Sequence, residues 1–207
     1  MVAVDIYAEL EALRSAGLYR ELRRVENQQG PILLIGGREV INFSSNNYLG
    51  IANHPALAQA AKQAIDRYGC GSGASRLISG NMTLHEELES RLAQFKGTEA
   101  ALVFNSGFQA NTGILATLAG EADVILSDQL NHASIIDGCR LSRAQTLVYA
   151  HDDLDQLEAN LKNSRHARRR LIVTESIFSM DGDEAPLTDI VELAERHDAI
   201  VMVDEAH

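Results

Sequence analysis

The 207 residues are 45% hydrophobic, 23% charged and only 5% aromatic, the balance of a globular chain with enough apolar material for one large core or two small ones. With 29 Asp plus Glu against 18 Lys plus Arg, the formal charge of -11 argues against nucleic acid as a partner, and the basic run 165–170 reads as a solvated loop before a strand. No apolar run approaches the roughly 18 residues that span a bilayer, Asp5 and Glu9 stand where a secretory leader needs basic and then apolar residues, and Cys70 and Cys139 lie too far apart in sequence to suggest a disulfide framework, so the chain reads as soluble and cytoplasmic.

Ile6, Leu10, Leu13 and Leu18 recur at helical spacing, with Asp5 as a plausible N-cap and Gly17 loosening the end. "PILLIGGREVINFSS" is two short apolar runs about Gly36 and Gly37, a hairpin pattern. "HPALAQAAKQAIDRYG" predicts a helix with Pro55 in its first turn and Gly69 as its stop. "TLHEELESRLAQFKG" predicts another, opened by a capping box of Thr83 and Glu86, with Leu84, Leu88, Leu92 and Phe95 as one stripe. After residue 99 short apolar runs at 100–104, 123–127, 146–150, 171–175 and 199–204 read as strands, separated by segments able to form helices. Strands apolar on both faces with long crossovers predict an α/β fold: a largely parallel sheet with helices on both faces.

In such a sheet ligands sit beyond the carboxyl ends of the strands. Those ends carry Asn105-Ser106-Gly107, Ser127-Asp128, His151, Glu175-Ser176 and the closing Asp204-Glu205-Ala206-His207. Ser106, Gly107 and Phe108 follow one strand and open a helix, where free N–H groups can cradle an anion, although a glycine there is also an ordinary turn. The glycine-rich run 69–76 reads as a flexible loop or as a close backbone approach to a ligand. His132 at a helix start is by itself a structural hydrogen-bonder. Asp204 and His207 could be a satisfied pair or two metal ligands, but no third ligand has clear spacing. "VMVDEAH" also matches the acidic box of DEAH-type NTPases; that reading needs a Gly-Lys-Ser or Gly-Lys-Thr loop, and the sequence has none.

Six stretches taken together resemble the α-oxoamine synthases, pyridoxal 5′-phosphate enzymes of the aspartate-aminotransferase fold. They are "NFSSNNYLG" (42–50), "GSGASRLISGNMTLHEELE" (71–89), "FNSGFQAN" (104–111), "LNHASIIDG" (130–138), "TESIFSMDGDEAPL" (174–187) and "VMVDEAH" (201–207), in family order and spacing. The resemblance implies the N-terminal half of a three-layer type I fold, with a helix and hairpin segment over 1–50 and part of the large cofactor-binding domain over 51–207. It places Asp204 against the cofactor's pyridine nitrogen, His207 at the phenolic oxygen and His132 over the ring face. Ser106, Gly107 and Phe108 fall near the phosphate, and Glu175 and Ser179 at cofactor contacts. Arg20, Asn46, Ser75 and His132 match substrate-side positions. Where the family usually reads Ser-Asn-Asp-Tyr-Leu-Gly, Asn47 replaces Asp, which removes a charge.

The implied reaction is decarboxylative condensation of an amino acid with an acyl thioester. L-Alanine and a pimeloyl thioester, the biotin-pathway pair, fit the pattern best; glycine with an acetyl group is the alternative. A homodimer and no metal are implied as well. The family's Schiff-base lysine falls beyond position 207, and Lys62, Lys96 and Lys162 lack its Ser/Thr-x-x-Lys setting. Residues 1–207 alone are therefore expected to be inactive, and a non-catalytic supporting subunit is the reading from a different class.

Overall fold

The computed structural model describes residues 5–207; residues 1–4 of the expected N-terminal segment lie outside the described residues. The chain forms two compact units, Met1–Gly71 and Ser72–His207. In the first unit, α1 (Ile6–Ser15) begins at Asp5, whose carboxylate accepts the Tyr7 and Ala8 N–H groups at 3.1 Å. The helix ends before Gly17, leaving Leu18 outside it, and Ile6 and Leu13 stay exposed. β1 (Ile32–Ile35) and β2 (Arg38–Ile41) pair antiparallel about Gly36 and Gly37. Both glycines have positive φ, +57° and +72°, as a two-residue turn matched to strand twist requires. α2 (Pro55–Tyr68) follows, with the His54 ring accepting the Ala56 N–H at 3.2 Å and Gly69 as its C-cap.

The second unit departs from expectation at its start. Residues 76–80 of the segment following the glycine-rich run form a π-helical turn, Arg76–Gly80. α3 is Thr83–Lys96, so Thr83 is inside the helix and cannot be its cap. The reciprocal bond comes instead from His85, whose Nδ1 accepts the Met82 N–H at 3.0 Å, while Glu86 accepts Asn81 Nδ2 at 2.7 Å. The expected strand at 100–104 does not form: among the described residues this segment pairs with no neighbour. Its Val103 N–H bonds Glu89 Oε1 at 2.9 Å, a side-chain acceptor in place of a ladder. Glu89 also grips the Arg76 guanidinium at 2.5 and 2.9 Å, and Arg76 first, then the Val103 amide, hold its carboxyl down at about 2.

The remaining strands form as expected: β3 (Val124–Asp128), β4 (Gln145–Tyr149), β5 (Arg170–Glu175) and β6 (Ile200–Asp204), all parallel in the order β4-β3-β5-β6. Four helices cross between or into them: α4 (Gly107–Leu118), α5 (Ala133–Ser142), α6 (Leu154–Asn163) and α7 (Leu187–Arg196). The period-two alternation of the central strands supplies both faces. Val124, Leu126 and Ile172 face Leu157 and Leu161 of α6 and Ile190 and Leu193 of α7. Ile125, Leu171 and Val173 face Leu115 of α4 and Ile135 and Cys139 of α5. Each such fully buried aliphatic side chain contributes roughly 1.5–3 kcal/mol relative to exposure. Cys70 and Cys139 are both free thiols. Among the described residues no helix is long and apolar enough to cross a membrane.

The amino end of the sheet carries an ion pair between a buried carboxylate and an exposed guanidinium. Asp123, 2% exposed, accepts Arg168 Nε at 2.9 Å and Nη2 at 2.6 Å, plus the Gly120 N–H at 2.8 Å. Arg168 first, then the Gly120 amide, hold the carboxyl at about 2, below its ordinary value. The pair therefore stabilises the fold fully above the unfolded carboxyl pKa of about 3.9 and loses this contribution as pH falls towards about 2. Arg168→Ala leaves the buried carboxylate with the amide alone, and a lower urea midpoint at pH 7 is expected, moderated by the exposure of the guanidinium. The difference from wild type should shrink below pH 4.

Candidate active site

Parallel strands bring β3, β5 and β6 out at one edge, and β5 and β6 end there in register as Glu175 beside Asp204. Asp204 is fixed at both oxygens. Oδ1 accepts the Ala206 N–H at 3.0 Å, and Oδ2 accepts Asn111 Nδ2 at 2.8 Å. Asn111 sits in the second turn of α4, buried, and its side chain leans towards the helix start as helical geometry dictates. The same amide nitrogen donates its other hydrogen to Ser134 Oγ at 2.9 Å. Ser134 Oγ in turn lies 2.7 Å from His132 Nδ1, which also accepts the Ser134 N–H at 3.2 Å. With Nδ1 accepting, the His132 ring proton sits on Nε2.

His132 caps α5, and its own N–H donates to Glu175 Oε1 at 2.5 Å. Asn131 holds the same bend from beneath, donating to Ser127 Oγ at 2.9 Å and to the Val173 carbonyl at 2.8 Å. Asp204, Asn111, Ser134, His132 and Glu175 thus form one connected chain of bonds at the carboxyl end of the sheet, its two ends lying side by side in register. Burial pushes the Glu175 carboxyl up, the neighbouring Asp204 charge adds to this, and the His132 amide opposes it. The α4 start faces the same edge, since Asn111 reaches Asp204 from its second turn. Ser106 caps α4 by accepting the Gln109 N–H at 3.2 Å, while the first-turn amides of Gly107 and Phe108 have no intrahelical acceptor by helix geometry.

His132, Glu175 and Asp204, expected separately from the sequence, are therefore neighbours, with Ser106, Gly107 and Phe108 on the helix that Asn111 ties to Asp204. Ser179 lies exposed in the turn after β5. His207 lines a depression of about 390 Å³ with Lys96, Ser176 and Glu205. Ser75 precedes the π-helical turn and is exposed. Arg20 and Asn46 are exposed residues of the first unit. Sequence reasoning passed over Asn111 and Ser134 as individuals. The available signal was a carboxamide four residues after a helix-opening glycine, on the face one turn from that start.

The geometry can be set beside known proteins. A family model described as aminotransferase class I and II matches residues 38–207. The 8-amino-7-oxononanoate synthase of Geobacter sulfurreducens is 58% identical over 203 residues, which cover 98% of this chain and 52% of that protein. The synthase of the same name from Thermoanaerobacter pseudethanolicus is 55% identical over 203 residues, 98% of this chain and 51% of that one. Among solved structures, a serine palmitoyltransferase from S. paucimobilis with bound PLP matches with a TM-score of 0.89 at 35% identity, covering 98% of this chain and 53% of its own. The chain spans about half the length of the curated relatives it matches.

Proposed function

Because the chain belongs to the aminotransferase class I and II family, we propose that it carries the cofactor-binding part of an α-oxoamine synthase, acting with pyridoxal 5′-phosphate. The proposed reaction condenses L-alanine with a pimeloyl thioester, releasing carbon dioxide and giving 8-amino-7-oxononanoate for biotin synthesis. Relatives of that name at 55–58% identity support this choice of substrates over glycine and an acetyl group. A cytoplasmic homodimer is the setting we propose.

The observation that carries the reading is the Asp204 carboxylate, held by Asn111 and Ala206 at a strand end beside buried Glu175. The donor set suits the cofactor. A fixed carboxylate matches a protonated ring nitrogen, and free amides at the start of α4 match a phosphate. Bound pyridoxal phosphate would supply an electron sink for negative charge developing at the α-carbon of the amino acid. The chain's own residues do the rest. Asp204 keeps the proton on the pyridine nitrogen, and Asn111 fixes the angle of that carboxylate. Gly107 and Phe108 receive the phosphate at the positive end of α4. His132, locked through Ser134 and Glu175, presents its ring to the cofactor face; Ser179 and His207 are the further cofactor contacts. Arg20, Asn46 and Ser75 contact the acyl and amino-acid substrates.

Two of the three lysines are engaged at the surface of the second unit: Lys96 pairs with Glu205, and Lys162 with Glu158 at 2.8 Å. We assign neither to a covalent role. The test is a screen of alanine, glycine and serine against acetyl-, succinyl- and pimeloyl-CoA with the polypeptide as its gene encodes it. Alanine with the pimeloyl thioester is expected to give the highest kcat/KM. A preference for glycine would contradict the biotin assignment while leaving the family intact.

A further inference from the structure

The same sheet edge holds a second polar assembly that the proposed chemistry does not use. His151 follows β4, and its Nδ1 lies 3.1 and 3.2 Å from the two oxygens of Asp128 at the end of β3. Its Nε2 lies 2.5 Å from Asp183 Oδ2. The ring stands edge-on to buried Phe178, with centroids 4.4 Å apart at 83°. A carboxylate only accepts, and a neutral imidazole has one N–H. Both contacts can be hydrogen bonds only when the ring carries both protons. Burial alone would drive the second proton off, but the hydrogen bonds with Asp183 and Asp128 and the charges of Asp128 and Asp152 outweigh it, and the net shift is upward.

Asp183 and Phe178 belong to the segment 176–186 that joins β5 to α7. Its own bonds fold it back on itself: the Phe178 N–H to the Asp183 carbonyl at 3.0 Å, the Gly182 N–H to the Phe178 carbonyl at 2.8 Å, and the Ala185 N–H to the Ser176 carbonyl at 3.1 Å. These shape the segment without tying its tip to the sheet. His151 provides that tie, from the exit of β4 to Asp128 on one side and to Asp183 and Phe178 on the other. We propose that His151 is a positioning residue, a doubly charged-paired imidazolium that pins segment 176–186, and with it Ser179, to the carboxyl edge of the sheet. The groups facing the ring are Asp128 from β3, Asp152 from its own turn and Asp183 from the segment, with the buried Tyr149 phenol beside Asp128 kept neutral by its burial.

The sign follows from the raised proton affinity. The pin is fully present below about pH 6.5, the ordinary imidazole value, and is lost as pH rises through the higher folded-state value. One carboxylate then faces a lone pair, and the segment opens. Only the consequence for Ser179 rests on the proposed cofactor role; the pin itself does not.

The test is hydrogen exchange by mass spectrometry on the polypeptide as encoded, without cofactor, between pH 5.5 and 9, corrected for intrinsic rates. A ring-nitrogen NMR titration of His151 runs alongside. Protection of residues 177–185 is expected to fall about ten-fold or more across the His151 titration, while α4 and α5 stay constant. His151→Gln should lower the protection at pH 6 and remove its pH dependence. Asp183→Asn, which keeps shape and acceptor, should shift the His151 midpoint down. Protection in wild type that ignores pH, or a His151→Gln profile matching wild type, would overturn the pin. Should either variant fail to fold, the two wild-type titrations still decide, since their midpoints must coincide. Pyridoxal phosphate titrated at the same pH values reads the other proposal separately: failure to bind would leave the pin standing.

Discussion

Asp204→Asn is expected to lower kcat of the polypeptide as encoded by about 10- to 1,000-fold, with little change in fold. The range comes from the one to three pKa units by which an opposing charge shifts a partner in a desolvated site, at about 1.4 kcal/mol each. Asparagine keeps the size and one acceptor, so one of the two donors, the Asn111 carboxamide or the Ala206 amide, retains its partner. What is lost is the charge that holds a proton on the ring nitrogen. Asp204→Ala should lie at the upper end, because it also strands the Asn111 amide and loosens Ser134 behind it. Asn111→Leu should cost less than Asp204→Asn. The double variant should fall short of the sum, as expected for two residues acting through one contact. Steady-state kcat/KM with the preferred thioester, alongside cofactor affinity, reads all four.

Gly138→Val is expected to damage the packing of α4 against α5 severely. A Cβ at this position of α5 would meet Leu115 Cδ1 at 2.7 Å, the Asn111 carbonyl at 3.0 Å and Leu115 Cβ at 3.2 Å. Leu115 is fully buried between sheet and helix and has no room to withdraw. Helix propensity would favour alanine over glycine here by about 1 kcal/mol, while forcing α4 and α5 apart costs about 1–3 kcal/mol for the first methyl and more for valine. The clash wins. Gly138→Ala should lower the melting temperature by a few degrees, and Gly138→Val by roughly 10 °C or abolish soluble expression. Because the carbonyl that is struck belongs to Asn111, the damage reaches Asp204 directly. Gly138→Ala should therefore weaken cofactor binding even where the protein remains folded. Scanning calorimetry and a cofactor titration on the same samples separate the two effects.

The parallel sheet was legible because its strands are short apolar runs bounded by polar exits, and burial on both faces requires that pattern. The helices were legible from their periodicity and stops, as with Pro55 and Gly69. The run at 100–104 was misleading for a physical reason. Apolar content predicts burial in a sheet, but a strand also needs a neighbour; here Leu102 stays exposed and the Glu89 carboxylate takes the Val103 amide instead. The Thr83 capping box failed by one residue, since His85 can accept the Met82 N–H as well as a Glu can.

At the site, strand-end residues could be read one by one, and Glu175 and Asp204 followed from the sheet. Their connection could not be read. Asn111 joins Asp204 across 93 positions and Ser134 across 23, and a helical asparagine carries no mark of such a contact. His151 was visible only as the residue after a strand. Its partners, Asp128 and Asp183, are brought to it by β3 and by the fold of segment 176–186.

The most direct measurement is the nitrogen-15 spectrum of ring-labelled pyridoxal phosphate bound to the polypeptide as encoded, in wild type and in Asp204→Asn at pH 8. A protonated pyridine nitrogen in wild type, with the resonance moving to the unprotonated position in the variant, is the predicted result. An unprotonated nitrogen in wild type, or the same resonance in both proteins, would contradict the role of Asp204 and the function built on it.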